Sequence, residues 1–290
     1  MDLQAVEFDF IVNNVKQSKQ VYEAIFALEI IEETDFPVGS NELVFNIAGT
    51  RFHLLDANPD YNLEAPNQEE DFPFWFNVST DEIHAVWQRA LAAGCSELVA
   101  PTDSADTGSL TAMFRDPDGY VWMLHQFVAA DVEAFEGLAI AYVVQDVAEA
   151  LTIYSGIFDL TILTQSADQS EAVFNLFGTR FQLFAENEAE GLLAPGEGEG
   201  MPFWFNLVVP DLQAVWDQAI ALDCQPIQAP IHMEQMGITN AMFADLEGYV
   251  WMLHQIHHVI SFEDRVDFFE QEMGLKEIDS AICQSLHYGA

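Results

Sequence analysis

One long internal repeat governs what this chain of 290 residues can fold into. FNIAGTRFHLL (45–55) returns as FNLFGTRFQLF (174–184), PFWFN (73–77) returns unchanged at 202–206, and AMFRDPDGYVWMLHQ (112–126) returns as AMFADLEGYVWMLHQ (241–255). Residues 45–126 align with 174–255 without a gap, and 38 of those 82 positions are identical. Tyr22 and Phe26 match Tyr154 and Phe158 at a slightly longer offset, so the second copy is three residues shorter upstream. A period this long is not that of a solenoid. It marks two copies of one whole domain.

Within each copy the pattern runs through the same order twice. Residues 8–13 read as a strand. Residues 15–28 carry Val15, Tyr22, Ile25 and Phe26 on one helical side. Strands follow at 30–35, 42–48 and 51–56, with Gly49-Thr50 turning between the last two. After a polar linker come a strand at 73–78 and a helix at 81–93, with Asp81 as N-cap and Gly94 just past its end. Strands near 97–100, 110–115 and 119–126 close the copy, the last two joined by the turn Asp116-Pro117-Asp118-Gly119. The order βαβββ–βαβββ repeats at 139–187 and 202–255. The expected organisation is a first module at 1–130, a second at 131–258 and a C-terminal helical extension at 259–290, where Phe262, Val266, Phe269 and Met273 form one stripe.

Composition narrows the function. Lys and Arg total 8 against 48 Asp and Glu, a net charge of −40. Such a chain repels phosphate backbones and anionic membranes, so neither nucleic acid nor membrane is an expected partner. No apolar run approaches the ~20 residues that span a bilayer, and the start MDLQAVEFDF has no basic, apolar signal character. The expected location is cytoplasmic. Cys95, Cys224 and Cys283 have neither a disulfide framework nor metal-site spacing. The charge is spread along the chain, which fits an acidic surface more than an acidic tail.

The repeated βαβββ units and the ending DPDGYVWMLHQ resemble the vicinal oxygen chelate superfamily, which includes glyoxalases, bleomycin-resistance proteins and extradiol dioxygenases. The resemblance covers about residues 5–256 and implies an α+β fold of two tandem modules. Each would be a paired βαβββ–βαβββ unit, its sheet curled into a half-barrel around a cleft with the helices outside. It also implies three metal-ligand positions per cleft, on the first, fifth and last strands. Carried onto this chain, those positions are Glu7 and Ala139, Pro73 and Pro202, and Met123 and Met252. Pro offers no donor and a thioether is a poor ligand for hard cations. The expectation is therefore no metal, no cofactor and no catalytic residue at those positions.

Strand alternation puts Pro73, Trp75 and Asn77 on one face, and Met123 with His125 on one face; Pro202, Trp204, Asn206, Met252 and His254 repeat the pattern. The expected ligand-binding residues are Trp75, Asn77, Met123 and His125 in one cleft and Trp204, Asn206, Met252 and His254 in the other. His53, replaced by Gln182 in copy two, is a further candidate for the first group. Indoles stack on planar or cationic ligands and thioethers adapt to irregular shapes. Trp87 and Trp216 sit mid-helix and read as packing residues. The linkers 56–72 and 185–201 carry six and five carboxylates with no basic residue, and border the cleft mouths.

The leading reading is metal-independent binding of a small, aromatic or cationic molecule. The alternatives are a glyoxalase- or dioxygenase-like enzyme with an atypical site, and an acidic non-catalytic interaction protein. The chain is expected to be a monomer with intramolecular module pairing or a homodimer.

Overall fold

The computed structural model describes residues 4–36, 39–61, 63–66, 73–104, 108–127, 135–195 and 202–261. The expected C-terminal helical extension at 259–290 lies almost wholly outside them. The first copy builds β1 (Ala5–Val12), α1 (Val15–Ile25), β2 (Glu29–Glu33), β3 (Glu42–Ile47) and β4 (Thr50–Asp56), then β5 (Phe74–Ser79), α2 (Ile83–Ala92), β6 (Ser96–Ser104), β7 (Ser109–Arg115) and β8 (Val121–Phe127). The second builds β9 (Leu138–Val144), α3 (Val147–Ile157), β10 (Thr161–Gln165), β11 (Glu171–Leu176) and β12 (Thr179–Ala185), then β13 (Phe203–Val208), α4 (Leu212–Ala221), β14 (Gln225–Met233), β15 (Ile238–Ala244) and β16 (Val250–Ile256). The mixed α+β class and the two tandem modules stand as read from the sequence.

Local chemistry sets the boundaries. Asn14 caps α1 by accepting the Gln17 N–H, and Asp146 caps α3 by accepting that of Glu149. The N-cap of α2 is Glu82 rather than the expected Asp81, and its side chain caps nothing. Gln126 supplies the missing acceptor by taking the Ile83 N–H at 3.2 Å. Asp116 closes the β7–β8 turn by accepting the N–H groups of Asp118 and Tyr120, and Gly119 takes a φ of +104°.

The strands form two eight-stranded sheets. The first runs β14-β15-β16-β13-β1-β4-β3-β2 and the second β10-β11-β12-β9-β5-β8-β7-β6. Each therefore joins the first half of one module to the second half of the other. The joints are antiparallel: β1 on β13, with Glu7 opposite Asn206, and β9 on β5, with Ala139 opposite Asn77. The acidic linkers are the segments that carry the chain from one sheet to the other.

One face of each sheet faces a shared core. Phe8, Phe10 and Phe52 alternate inward from the first sheet and meet Phe74 and Phe76 of the second; Phe74 and Phe203 centroids lie 4.1 Å apart. The four helices pack their apolar sides into the same cluster. Two tyrosines tie the sheets together. Tyr120 donates to the Ile11 carbonyl at 2.6 Å, and Tyr249 donates to that of Val143 at 2.7 Å. The opposite face of each sheet points away from that core. No helix among the described residues is long and apolar enough to cross a membrane.

Candidate functional site

The two clefts share a scaffold and differ in chemistry. In the second sheet the cleft face carries Ala139 and Ala141 from β9, Gln182 from β12, Trp75 and Asn77 from β5, and Met123 and His125 from β8. Its polar groups satisfy one another. Asn77 donates to Gln182 at 2.7 Å, and Gln182 donates to Glu171 at 2.6 Å. Trp75 Nε1 donates to Asn77 Oδ1 at 3.1 Å, and His125 Nε2 lies 3.2 Å from the same oxygen. Burial lowers the His125 pKa to about 4, so its imidazole is neutral near pH 7. Trp75 and Met123 are only partly buried, and the Trp75 ring leans on Phe184 at 4.9 Å. This is an aromatic wall beside a linked set of polar groups that ends on Glu171, with Arg180 5.3 Å from the Phe135 ring on the same side.

The first sheet presents the same positions with different residues. Glu7 and Asp9 stand where the second sheet has Ala139 and Ala141, and His53 where it has Gln182. Trp204, Asn206, Met252 and His254 complete the face. His53 lies between carboxylates: Nδ1 is 3.4 Å from Asp9 and 3.8 Å from Glu7, and Nε2 is 3.3 Å from Glu42. Arg51 Nε donates to Glu7 at 2.6 Å. Trp204 Nε1 and Asn206 Nδ2 both donate to Asp9 Oδ2, at 2.9 and 3.2 Å.

Burial dominates the electrostatics of this cluster. Glu7, Asp9, His53, Asn206 and His254 have no solvent exposure. Desolvation raises the Asp9 pKa, opposed by its hydrogen bond to His53. Desolvation also works against charge on His53, but Asp9 and Glu42 outweigh it and hold the imidazole well above its ordinary range. His254 is pushed down to about 3 by burial, against the field of Glu7, and stays neutral. Over the cluster lie Ile11, Leu55, Trp204 and Met252, with Leu63 and Ala65 of the linker packed on them. This cleft is roofed by its own sheet crossover.

The structure thus brings together Trp75, Asn77, Met123 and His125, and separately Trp204, Asn206, Met252 and His254. It moves His53 from the first group to the second, because β4 belongs to the sheet that holds β13 and β16. It also splits the two indoles, which the repeat made equivalent: Trp75 is partly exposed, whereas Trp204 is 6 % exposed. Asp9 was not among the sequence candidates. Its signal was present, since in VEFDFIV the carboxylates of Glu7 and Asp9 alternate with Phe8 and Phe10 and must share the face away from the core. Cys95 and Cys224 are buried, with thiols pushed up to about 12 by desolvation, and serve packing.

The metal positions implied by the resemblance do not make a site in either sheet. The first holds Glu7, Pro202 and Met252, and the second Ala139, Pro73 and Met123. Neither set offers three ligating atoms for a hard or borderline cation.

Comparison with known proteins agrees with this architecture. Glyoxalase I from Zea mays superposes with a TM-score of 0.67 at 15% identity, covering 93% of this chain and 97% of that one. A putative dioxygenase from Bacillus subtilis gives a TM-score of 0.57 at 11% identity over 92% and 89%. At these identities the likeness is one of fold. Metallothiol transferase FosB from Shouchella clausii is 25% identical over 122 residues, 42% of this chain and 79% of that protein. The model of the Glyoxalase/Bleomycin resistance protein/Dioxygenase superfamily matches residues 4–124 and again 138–253, and the chain belongs to that superfamily, with two tandem modules.

Proposed function

We propose that the protein binds a small molecule with a flat, aromatic or cationic part in the open cleft of the second sheet, without a metal there. The observation that carries this reading is Trp75. Its indole is partly open beside Phe184 and Met123, above a floor whose polar groups are already paired. Such a surface offers stacking and dispersion. The ligand-type positions in this sheet are Ala139, Pro73 and Met123, which supports binding here over the group transfer named in the FosB relative.

The experiment is a fluorescence titration with a panel of planar heteroaromatic cations, in metal-free buffer, on the parent protein, Trp75→Ala and Trp204→Ala. Quenching that saturates in the parent and in Trp204→Ala but not in Trp75→Ala supports the reading. Binding that survives Trp75→Ala, or that needs added metal, rules it out.

A further inference from the structure

We propose that the second copy carries a small-molecule site between α3 and α4 that takes an alkylguanidinium, its planar cation set against the end of α3. The site lies among the helices and uses none of the cleft residues, so it stands or falls apart from the reading given for Trp75. Its cavity measures about 410 Å³, within the ordinary range for small-molecule sites. Ile157, Phe158 and Asp159 line it at the end of α3, Phe177 at the β11–β12 turn, and Asp211 and Gln218 on the side of α4.

The first copy holds a cation at the same place. Helices α1 and α3 end alike: the C-caps Phe26 and Phe158 both have a φ of −119°, with ψ of 161° and 149°, and they return their N–H groups to Tyr22 and Tyr154. The Ile25 and Ile157 carbonyls therefore leave their helices in the same direction. In the first copy Arg89 of α2 donates to the Ile25 carbonyl from Nε at 3.2 Å and from Nη2 at 3.0 Å. The end of a helix concentrates partial negative charge on such carbonyls, and a guanidinium answers it with charge and two donors. The counterpart of Arg89 in the second copy is Gln218, which is shorter and uncharged.

Two further differences between the copies add binding groups at this place. Asp159 replaces Ala27 and brings a carboxylate to the cavity wall, and Phe177 replaces Ala48 and brings a half-buried ring. A guanidinium meets a carboxylate with planar, charge-assisted hydrogen bonds and stacks on an aromatic face. Ala48 and Phe177 share a φ of +50°, a left-handed backbone that non-glycine residues seldom adopt. The turn is therefore common to both copies, and the ring is an addition that the second copy makes on an unchanged backbone.

Charge favours the same class of ligand. The charged residues of the lining are Asp159 and Asp211, and both are acidic. The N-terminus of α4 also borders the cavity, and its dipole opposes a cation. Asp211 caps that end by accepting the Ala214 N–H at 3.1 Å, which leaves the wall net negative. The net charge of −40 draws cations toward the molecule from a distance. Phe158, Val209 and Val215 supply an apolar part of the lining, which suits the alkyl chain behind the guanidinium.

The test is a calorimetric titration of the full chain with butylguanidinium chloride at constant ionic strength, beside butylurea, its neutral isostere. Butylguanidinium should bind one to one and saturate below about 10 mM, with butylurea about tenfold weaker or silent. Gln218→Arg restores the side chain found in the first copy. It should abolish the binding without lowering the melting temperature, since its own guanidinium reaches the Ile157 carbonyl. Asp159→Asn should weaken binding about fivefold or more, and it decides the matter if Gln218→Arg fails to fold. Gln88→Arg adds the same charge to the exposed side of α2 and should leave the binding intact, which sets a defined site apart from loose condensation of cations on an acidic chain. Trp75→Ala should also leave it intact, which separates this site from the cleft of the second sheet. The proposal is overturned if butylguanidinium does not saturate or if butylurea binds as well. It is equally overturned if binding is unchanged by Gln218→Arg or Asp159→Asn, or is lost in Gln88→Arg or Trp75→Ala.

Discussion

Glu7 and Asn206 are register partners on neighbouring antiparallel strands, although one lies on the first strand of the first module and the other on the fifth strand of the second. The same exchange pairs Ala139 with Asn77 in the other sheet. Each cleft is therefore assembled from both modules, and differences between the repeats sort into two unlike clefts. All the acidic substitutions on first-half strands fall in one sheet, whose cleft face is packed by Ala57, Leu63 and Ala65 of the linker.

This exchange predicts the behaviour of an isolated module. A fragment of residues 1–130 keeps β1 and β5 but loses β13 and β9, leaving two unpaired central edges. Exposed edges of this kind recruit other chains. Because β5 is the repeat of β13, β1 of one copy can pair with β5 of a second and rebuild both joints. Light scattering should find the fragment dimeric. A folded monomer by the same measurement, with native strand content, would contradict the exchange.

The two repeat-related tryptophans should separate on substitution. Trp204 is buried, packs with Ile11, Leu55 and Met252 and donates to Asp9. Trp204→Ala should cost about 3–5 kcal/mol, the range for emptying a core aromatic site. Trp75 is partly open and its nitrogen bonds only within the cleft floor. Trp75→Ala should cost less, about 1–2 kcal/mol. Urea unfolding of both variants checks the order, and equal losses would place Trp75 in the core with its counterpart.

Strands, helices and the two-module plan were legible because each rests on local pattern: the helical spacing of Val15, Tyr22, Ile25 and Phe26, the Asp116–Gly119 turn and the internal repeat. The exchange of halves was not. β1 and β9 are copies, so β13 meets similar patterns of side chains on either, and local pattern cannot choose between them. That choice put His53 beside Trp204 instead of Trp75. The members of each tryptophan group were legible because β5 with β8, and β13 with β16, stay together whichever partner the half takes. The family's ligand positions include Glu7 and not Asp9, so the resemblance carries no signal for Asp9.

His125 gives a pH dependence of definite sign. Its folded pKa, about 4 through burial, lies below the ordinary 6.5. Between those values the unfolded chain takes up a proton that the folded chain refuses, so stability falls as pH drops through this window and is unaffected above it. At pH 5 the loss relative to pH 7 from this group is about 2 kcal/mol. His125→Gln removes the titration and keeps a polar neighbour for Asn77. The drop between pH 7 and 5, read by urea unfolding, should be smaller in the variant by that amount. An unchanged drop would mean that His125 takes up its proton in the folded state.

Salt should stabilise this protein. Forty-eight acidic residues face only 8 basic ones. Among the described ion pairs, Lys16 with Asp35 and Lys19 with Glu33 have exposed or partly exposed partners, and pairs of that kind contribute about 0–1 kcal/mol each. Screening therefore has little attraction to weaken and much repulsion to relieve. The Debye length falls from about 30 Å at 0.01 M to about 10 Å at 0.1 M, which cuts the repulsion between carboxylates dispersed over the two modules. The melting temperature should climb over that range of NaCl, most steeply at its lower end, and flatten beyond it. A flat or falling curve would mean that the carboxylates lie too far apart to repel one another across the folded surface.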